Sequence, residues 1–447
     1  MTISRRGFLA GLAAPAQPAG LLRFHDDGGW CWFEDERVLL LDGRVIGGVV
    51  ASGRTDPNRR GQVEVFEYDL AKNSTRSFAL KSPRTPDERR QWLDDHNSPA
   101  FVVRPDGRLV TMYAQHGREE KIYYRISTQA RRGHQWGEER VFIPSAKTRA
   151  TYQNLFYLSA ENRIYDFYRG FDNSFKPSYA WSGDMGETWK AGGVLIDVPT
   201  QFRHRPYVKY CSNGRDSVHL LYTGGHPRDF DNSVYHAVFR GGQLFASGGN
   251  RLASIAEGLK SPEQGTLVFK GDANNVAWVH DAHLDARGRP VVVFSTQKDS
   301  AGLPPKQGGH DFRYHRAAWD GNEWQVEEIA FGGSRLYAGE DDYTGLVALD
   351  PHDTETVFIS TNADPATGAP LKSEADGQRH WEIYRARKPA LGKWRWTAVT
   401  QNSTRDNLRP IVASGGRNPR VVLWLAGKIR SYTDFEYEVV GFSEKRQ

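Results

Sequence analysis

Short apolar runs separated by turn signals recur along the whole chain, and they come in pairs. The clearest pair lies between Asp94 and Gly117. Asp94-Asp95-His96-Asn97 is polar, Ala100 to Val103 is apolar, and Pro105-Asp106-Gly107 is a turn, because proline presets φ and glycine accepts a positive φ. A second apolar run, Leu109 to Ala114, ends at Gln115-His116. This reads as a β-hairpin, and a hairpin returns its chain to the edge where it began. His96 and His116 are therefore expected side by side, far from the turn.

The same pattern repeats six more times. Pairs of runs turn at Glu161-Asn162, Asn213-Gly214, Arg287-Gly288, Pro351-His352-Asp353 and Gly415-Gly416, and an early pair is expected to start at Trp30-Cys31-Trp32-Phe33 and return through Arg44-Val45-Ile46. The spacing is roughly fifty to seventy-five residues, the period of propeller blades. Weaker strand-like runs follow each hairpin, such as Ile122 to Ser127. Four strands per unit, seven units and almost no helical pattern predict an all-β fold, a seven-bladed β-propeller, as one domain over residues 21–447. Two β-sandwiches would not place polar groups so regularly at hairpin openings. Residues 21–25 are expected to close the last blade. Ser182-Gly183-Asp184-Met185-Gly186-Glu187-Thr188-Trp189 matches an Asp box, a structural turn between outer strands.

Composition agrees. Thirteen Trp, nineteen Tyr and twenty-two Phe favour strands, and forty-five Gly with twenty-two Pro supply turns. Two cysteines are too few for a disulfide framework. A formal charge of +5 without a Lys/Arg-rich segment argues against nucleic acid and permits an acidic partner. Ser4-Arg5-Arg6-Gly7-Phe8-Leu9-Ala10 and the small residues after it read as a twin-arginine export signal over residues 1–20. No later stretch is apolar for long enough to span a membrane as a helix. A periplasmic or secreted monomer with no membrane partner is expected.

The hairpin edges collect His96 and His116, Tyr152 and Arg169, Arg205 with Tyr207 and His226, His280 and Gln297, Asp342 and Asn362, and Arg409 and Lys428 on one face. Histidines, arginines and tyrosines dominate that face, with carboxylates in the minority, and a polar, cationic cleft on a propeller face is the default ligand site. The Asp-Asp-His-Asn-x-Pro-Ala hairpin ending in His-Gly resembles the BNR-repeat propellers. So do the Tyr-x-Asn-Leu strand ending in Phe-Tyr-Arg-Gly, the Arg-Pro-Tyr segment and the Thr-Gly-Gly-His turn. That group includes ulvan lyases and propellers acting on rhamnosyl-glucuronate ends. The resemblance implies β-elimination at a uronate of a polysaccharide or oligosaccharide. It implies His96 and Tyr152 as acid and base, His96 the partner base, and Arg169 on the carboxylate. Asn97, His116, Asn154, Arg205, Tyr207, His226, His280 and Arg409 are then expected to bind substrate. The chemistry suits these residue types, since a cation must stabilise the developing enolate and an acid and a base must reach O4 and C5. No cofactor is required for that step. The resemblance also allows a structural Zn²⁺ or Ca²⁺, for which Cys211, His226 and His236 are conceivable ligands at a spacing that is not a recognised zinc pattern.

Two other classes compete. A glycoside hydrolase, rhamnosidase- or sialidase-like, ordinarily needs a carboxylate pair, and Asp281, Asp341 and Asp342 form no evident pair with His96. A sialidase would also need an arginine triad, which Arg205, Arg313 and Arg409 could supply, but the early Arg-Ile-Pro segment is missing. A non-catalytic glycan-binding propeller would show the same cleft without turnover.

Overall fold

Gly107, at φ +80°, closes the turn that lets Ala100–Val103 pair with Leu109–Ala114. The computed structural model, which describes residues 20–198, 205–299, 303–304 and 306–446, repeats that unit in seven sheets. In chain order the blades span Val38–Lys81, Ala100–Phe142, Leu155–Val194, Val208–Phe269, Val276–Gly333, Val347–Ala398 and Asp406–Glu444. Blade 7 is completed by Leu22–His25, which pairs with Asp434–Glu444 and ties the N-terminal end of the described chain to its C-terminal end. The closing strand expected near residue 21 is thus present. The expected export signal lies outside the described residues, apart from Gly20.

Two blades exceed four strands: blade 4 has six, and blade 1 gains Ser414–Gly415 as a fifth. The Asp box turns between the outer strands of blade 3. Asp184 Oδ1 accepts the Ser182 hydroxyl (2.8 Å) and the Thr188 N–H (2.9 Å), and Trp189 is buried beneath. Its role is structural, as its composition implied. A single α-helix among the described residues, Pro86–Trp92, is capped by Thr85 and leads into the Asp94 segment.

One expectation fails at the start. The first hairpin begins at Val38, not Trp30, and pairs Val38–Leu41 with Arg44–Val50. Trp30 to Arg37 is irregular chain instead, and it occupies the propeller axis. Trp32 packs edge-on against Trp278 (5.1 Å) and Tyr343 (5.3 Å), and Phe33 lies 5.2 Å from Tyr152 and 5.0 Å from Tyr207. Its backbone is held by side chains from blades on both sides: Lys209 donates to the Trp32 carbonyl and Arg409 to the Trp30 carbonyl, each at 2.6 Å. Backbone bonds link Cys31 to Asp95, Glu36 to Phe101 and Asp35 to Leu155. Aromatic side chains read as strand formers because they are apolar, but here the same bulk fills a channel. The plug therefore closes the axis, and an accessible site must sit on a rim.

Candidate active site

The Asp94 segment leaves the helix in an extended conformation and caps the short 3-10 turn Asp95–Asn97, with Asp94 Oδ1 accepting the His96 N–H at 3.0 Å. The same carboxylate binds two imidazoles. Oδ1 lies 2.7 Å from His96 Nδ1 and Oδ2 lies 2.9 Å from His116 Nδ1. The two rings stack at 4.1 Å and 7°. Asn97, fully buried, donates to the Trp92 carbonyl and accepts the His116 N–H at 2.7 Å. The hairpin argument thus places the two histidines correctly. Asn97 positions them and is not placed to touch substrate.

The two histidines carry different charges. Burial alone would lower the pKa of His96, but the Asp94 and Asp95 carboxylates outweigh it and hold the imidazole well above its ordinary value. Asp95 Oδ1 lies 2.9 Å from His96 Nδ1 without hydrogen-bond geometry. His116 goes the other way. Burial and then the His96 cation lower its pKa, against the pull of Asp94. The pair is therefore an imidazolium beside a neutral imidazole. A group that keeps its proton cannot accept another, which argues against His96 as the base.

Tyr152 stands 5.4 Å from the His96 ring and 6.1 Å from the His116 ring. Its φ is +59°, a left-handed conformation that a bulky residue adopts at a cost. Burial, followed by Tyr207, raises its pKa well above the ordinary phenol value although Arg169 pulls it down. Cationic neighbours do not make it a phenolate, so the phenol keeps its proton. Arg169 ends the second strand of blade 3. Its guanidinium lies over Tyr152 at 4.5 Å and over Tyr207 at 4.9 Å. Gly170 follows at φ +115°, where a Cβ would sit 2.0 Å from the Arg149 carbonyl oxygen, so the chain can turn there only at glycine. Arg169 is 4% exposed, yet its Nε and Nη1 have no hydrogen-bond partner. Two buried, cationic, unpaired donors cost folding energy of about 1–3 kcal/mol each, and the acceptor oxygens of an acidic ligand would lower that cost.

Other expected residues divide. Tyr207 and His226 join the group, with rings 5.5 Å apart. Arg205 is half-buried, with its guanidinium 5.3 Å from the Phe175 ring. Asn154 is buried and donates to the Tyr152 and Phe167 carbonyls, so it shapes the backbone under Tyr152. His280 bonds Ser295 inside the sheet, and burial takes its pKa down to about 3. Arg409 is fully buried on Asp95 and the Trp30 carbonyl. His280 and Arg409 therefore hold the core and the plug, not substrate. An inner-strand position is not always a rim position, because the strands run deeper than their first residues. The suggested metal ligands do not converge. Cys211 sits opposite His219, at the far end of the hairpin from His226, and His236 bonds His219 (3.0 Å) and Ser247 (2.7 Å). These residues do not fit a structural metal.

Two members of this group are not marked as such by the sequence. Asp94 was visible in the motif but not its double use. Tyr432, at the tip of the long blade 7 ribbon, stands edge-on to His96 (5.0 Å) and His116 (6.0 Å), and its carbonyl accepts the Asp95 N–H at 3.0 Å. No local signal marks a turn tyrosine three hundred residues away from its partners.

Residues 53–331 match the profile of the BNR repeat-containing family. The chain belongs to that family. Among solved structures, this BNR-repeat propeller is similar to a PL25 ulvan lyase bound to -[GlcA(1-4)Rha3S]-, at 14% identity and a TM-score of 0.68 over 96% of this chain and 98% of that one. It is also similar to the polysaccharide lyase Uly1, at 11% identity and a TM-score of 0.56 over 96% and 100%. A GH93 α-L-arabinofuranosidase of Fusarium graminearum matches at 11% identity and a TM-score of 0.41 over 77% and 91%. At these identities the two lyase likenesses show a shared fold. No curated protein matches the sequence.

Proposed function

We propose that this BNR-repeat propeller is a polysaccharide lyase that cleaves uronate-containing glycans by β-elimination. The observation that carries the reading is the Arg169 guanidinium, buried and lacking partners on Nε and Nη1, beside a neutral imidazole and a neutral phenol. The similarity to polysaccharide lyases in fold supports it. A rhamnose-glucuronate backbone, as in the ligand of the PL25 neighbour, is the first substrate to try.

The uronate carboxylate binds Arg169, which lowers the cost of the enolate-like dianion that forms when C5 loses its proton. His116, neutral and anchored through Nδ1 by Asp94, takes that proton on its other ring nitrogen. The His96 imidazolium adds positive charge beside it. Tyr152 gives its phenolic proton to the O4 leaving group as the C4–O4 bond breaks and the C4=C5 bond forms. A hydrolase would instead need a paired acid and base carboxylate around this constellation. Asp94 and Asp95 are both engaged by cations.

Digestion of a glucuronate-containing polysaccharide tests this. Product with a double bond conjugated to the carboxylate absorbs in the ultraviolet, and Tyr152→Phe should abolish its formation while leaving binding nearly intact. Saturated products from the wild-type protein would contradict it.

A further inference from the structure

A pocket of about 220 Å³ lies next to the Arg169 group, between blades 4, 5 and 6. His226 connects the two. Its ring is 5.5 Å from Tyr207, and its Nδ1 accepts the Arg228 N–H and lies 3.7 Å from Asp342 Oδ2. Three carboxyl groups line the pocket, Glu340, Asp341 and Asp342. Two are neutralised in place: Arg228 Nη1 is 2.9 Å from Glu340 Oε2, and Arg335 binds Asp341. Lys306 lies exposed at the edge. Asp342 differs. It is 5% exposed, its Oδ1 accepts the Gln297 amide N–H at 3.0 Å when that amide is turned to satisfy its neighbours, and its Oδ2 has no partner.

A buried unpaired oxygen calls for a ligand group that can bond it. A sugar hydroxyl both donates and accepts, so it suits this carboxyl in either protonation state. A sulfate ester has acceptors only and a negative charge, and here it would meet Asp342 and Glu340 with the two nearest guanidiniums already engaged. We propose that this pocket is a subsite for a neutral, hydroxyl-bearing sugar next to the uronate, so that the protein selects glycans unsulfated at that position. The proposal rests on the uronate reading of the Arg169 site.

The test uses an oligosaccharide of the -[GlcA(1-4)Rha3S]- backbone and its desulfated form, with binding measured by calorimetry on Tyr152→Phe. The desulfated form should bind at least about tenfold more tightly. Asp342→Ala should remove most of that preference, by weakening the desulfated form and relieving the repulsion of the sulfated one. Asp342→Asn, which keeps the shape and a hydrogen bond for the hydroxyl, should restore part of it. Equal binding, tighter binding of the sulfated form, no binding of either, or an unchanged ratio in a folded Asp342→Ala would overturn the proposal. If the desulfated form binds but the wild-type protein yields no unsaturated product, the lyase reading falls and the subsite stands. If both forms give unsaturated product at equal rates, the subsite falls and the lyase reading stands.

Discussion

Replacing Asp94 with Asn tests the unequal histidine pair most severely. The carboxylate is 3% exposed and serves two imidazoles and one backbone N–H. Asn keeps its shape, but it loses the charge and one acceptor oxygen. Removing one partner from a buried ion pair costs about 3–5 kcal/mol. An unfolding entropy of about 2.1 cal/mol/K per residue over ~425 residues is about 0.9 kcal/mol/K, so Tm should fall by about 3–6 °C. The loss should depend on pH. The raised pKa of His96 contributes stability that is complete below its unfolded value of about 6.5 and fades as pH rises through the folded value. The lowered pKa of Asp94, which the two histidines impose against burial, contributes stability present above about pH 4 and lost in acid. The gap between wild type and Asp94→Asn should therefore be widest near about pH 5–6 and narrow toward alkaline pH. Turnover should drop at least about a hundredfold, because neither ring keeps its tautomer and orientation. The assay is calorimetric Tm across pH, paired with kcat/KM profiles. Parallel Tm curves with normal turnover would refute the shared-carboxylate reading.

Further outcomes follow from single side chains. Arg169→Ala should weaken both binding and rate, seen as a raised KM and lowered kcat, because the carboxylate is present in substrate and gains charge in the transition state. The acid limb of kcat/KM should titrate below the ordinary histidine value, since burial and His96 both lower the pKa of His116; a limb above it would remove His116 as base. Glu34 is buried in the plug with both oxygens unpartnered, and burial pushes its pKa up to about 8. The folded state then holds a proton that the unfolded state releases, so stability falls as pH rises from about 4.5 to about 8. Glu34→Gln should remove that decline in a Tm series. Tyr432→Ala should raise KM severalfold with little change in Tm, because the half-exposed ring walls the histidine pair without filling the core.

The blades were legible because a hairpin is a local object. Its turn residues, its two apolar runs and its returning edge all fall within about twenty-five residues, so pairing His96 with His116, or Tyr152 with Arg169, needed no tertiary knowledge. The plug was not legible. Trp30-Cys31-Trp32-Phe33 has strand composition, and only the seven surrounding blades turn it into a core. Arg409 and His280 were misread for the same reason, since depth along an inner strand depends on what fills the axis. Proton assignments were also out of reach, because the opposite charge states of His96 and His116 come from Asp94, Asp95 and burial acting together. The Glu340–Asp342 pocket joins segments from three blades, and no one segment shows it.

The central claim is that the glycosidic bond breaks by elimination, and digestion in water labelled with heavy oxygen tests it most directly. Elimination takes no oxygen from water into either fragment during cleavage. Mass spectra taken early, before the new reducing end exchanges, should show an unlabelled uronate fragment one water lighter than a hydrolysis product. Heavy oxygen fixed in one fragment, with masses that sum to substrate plus water, would contradict the lyase reading and return the site to the hydrolases.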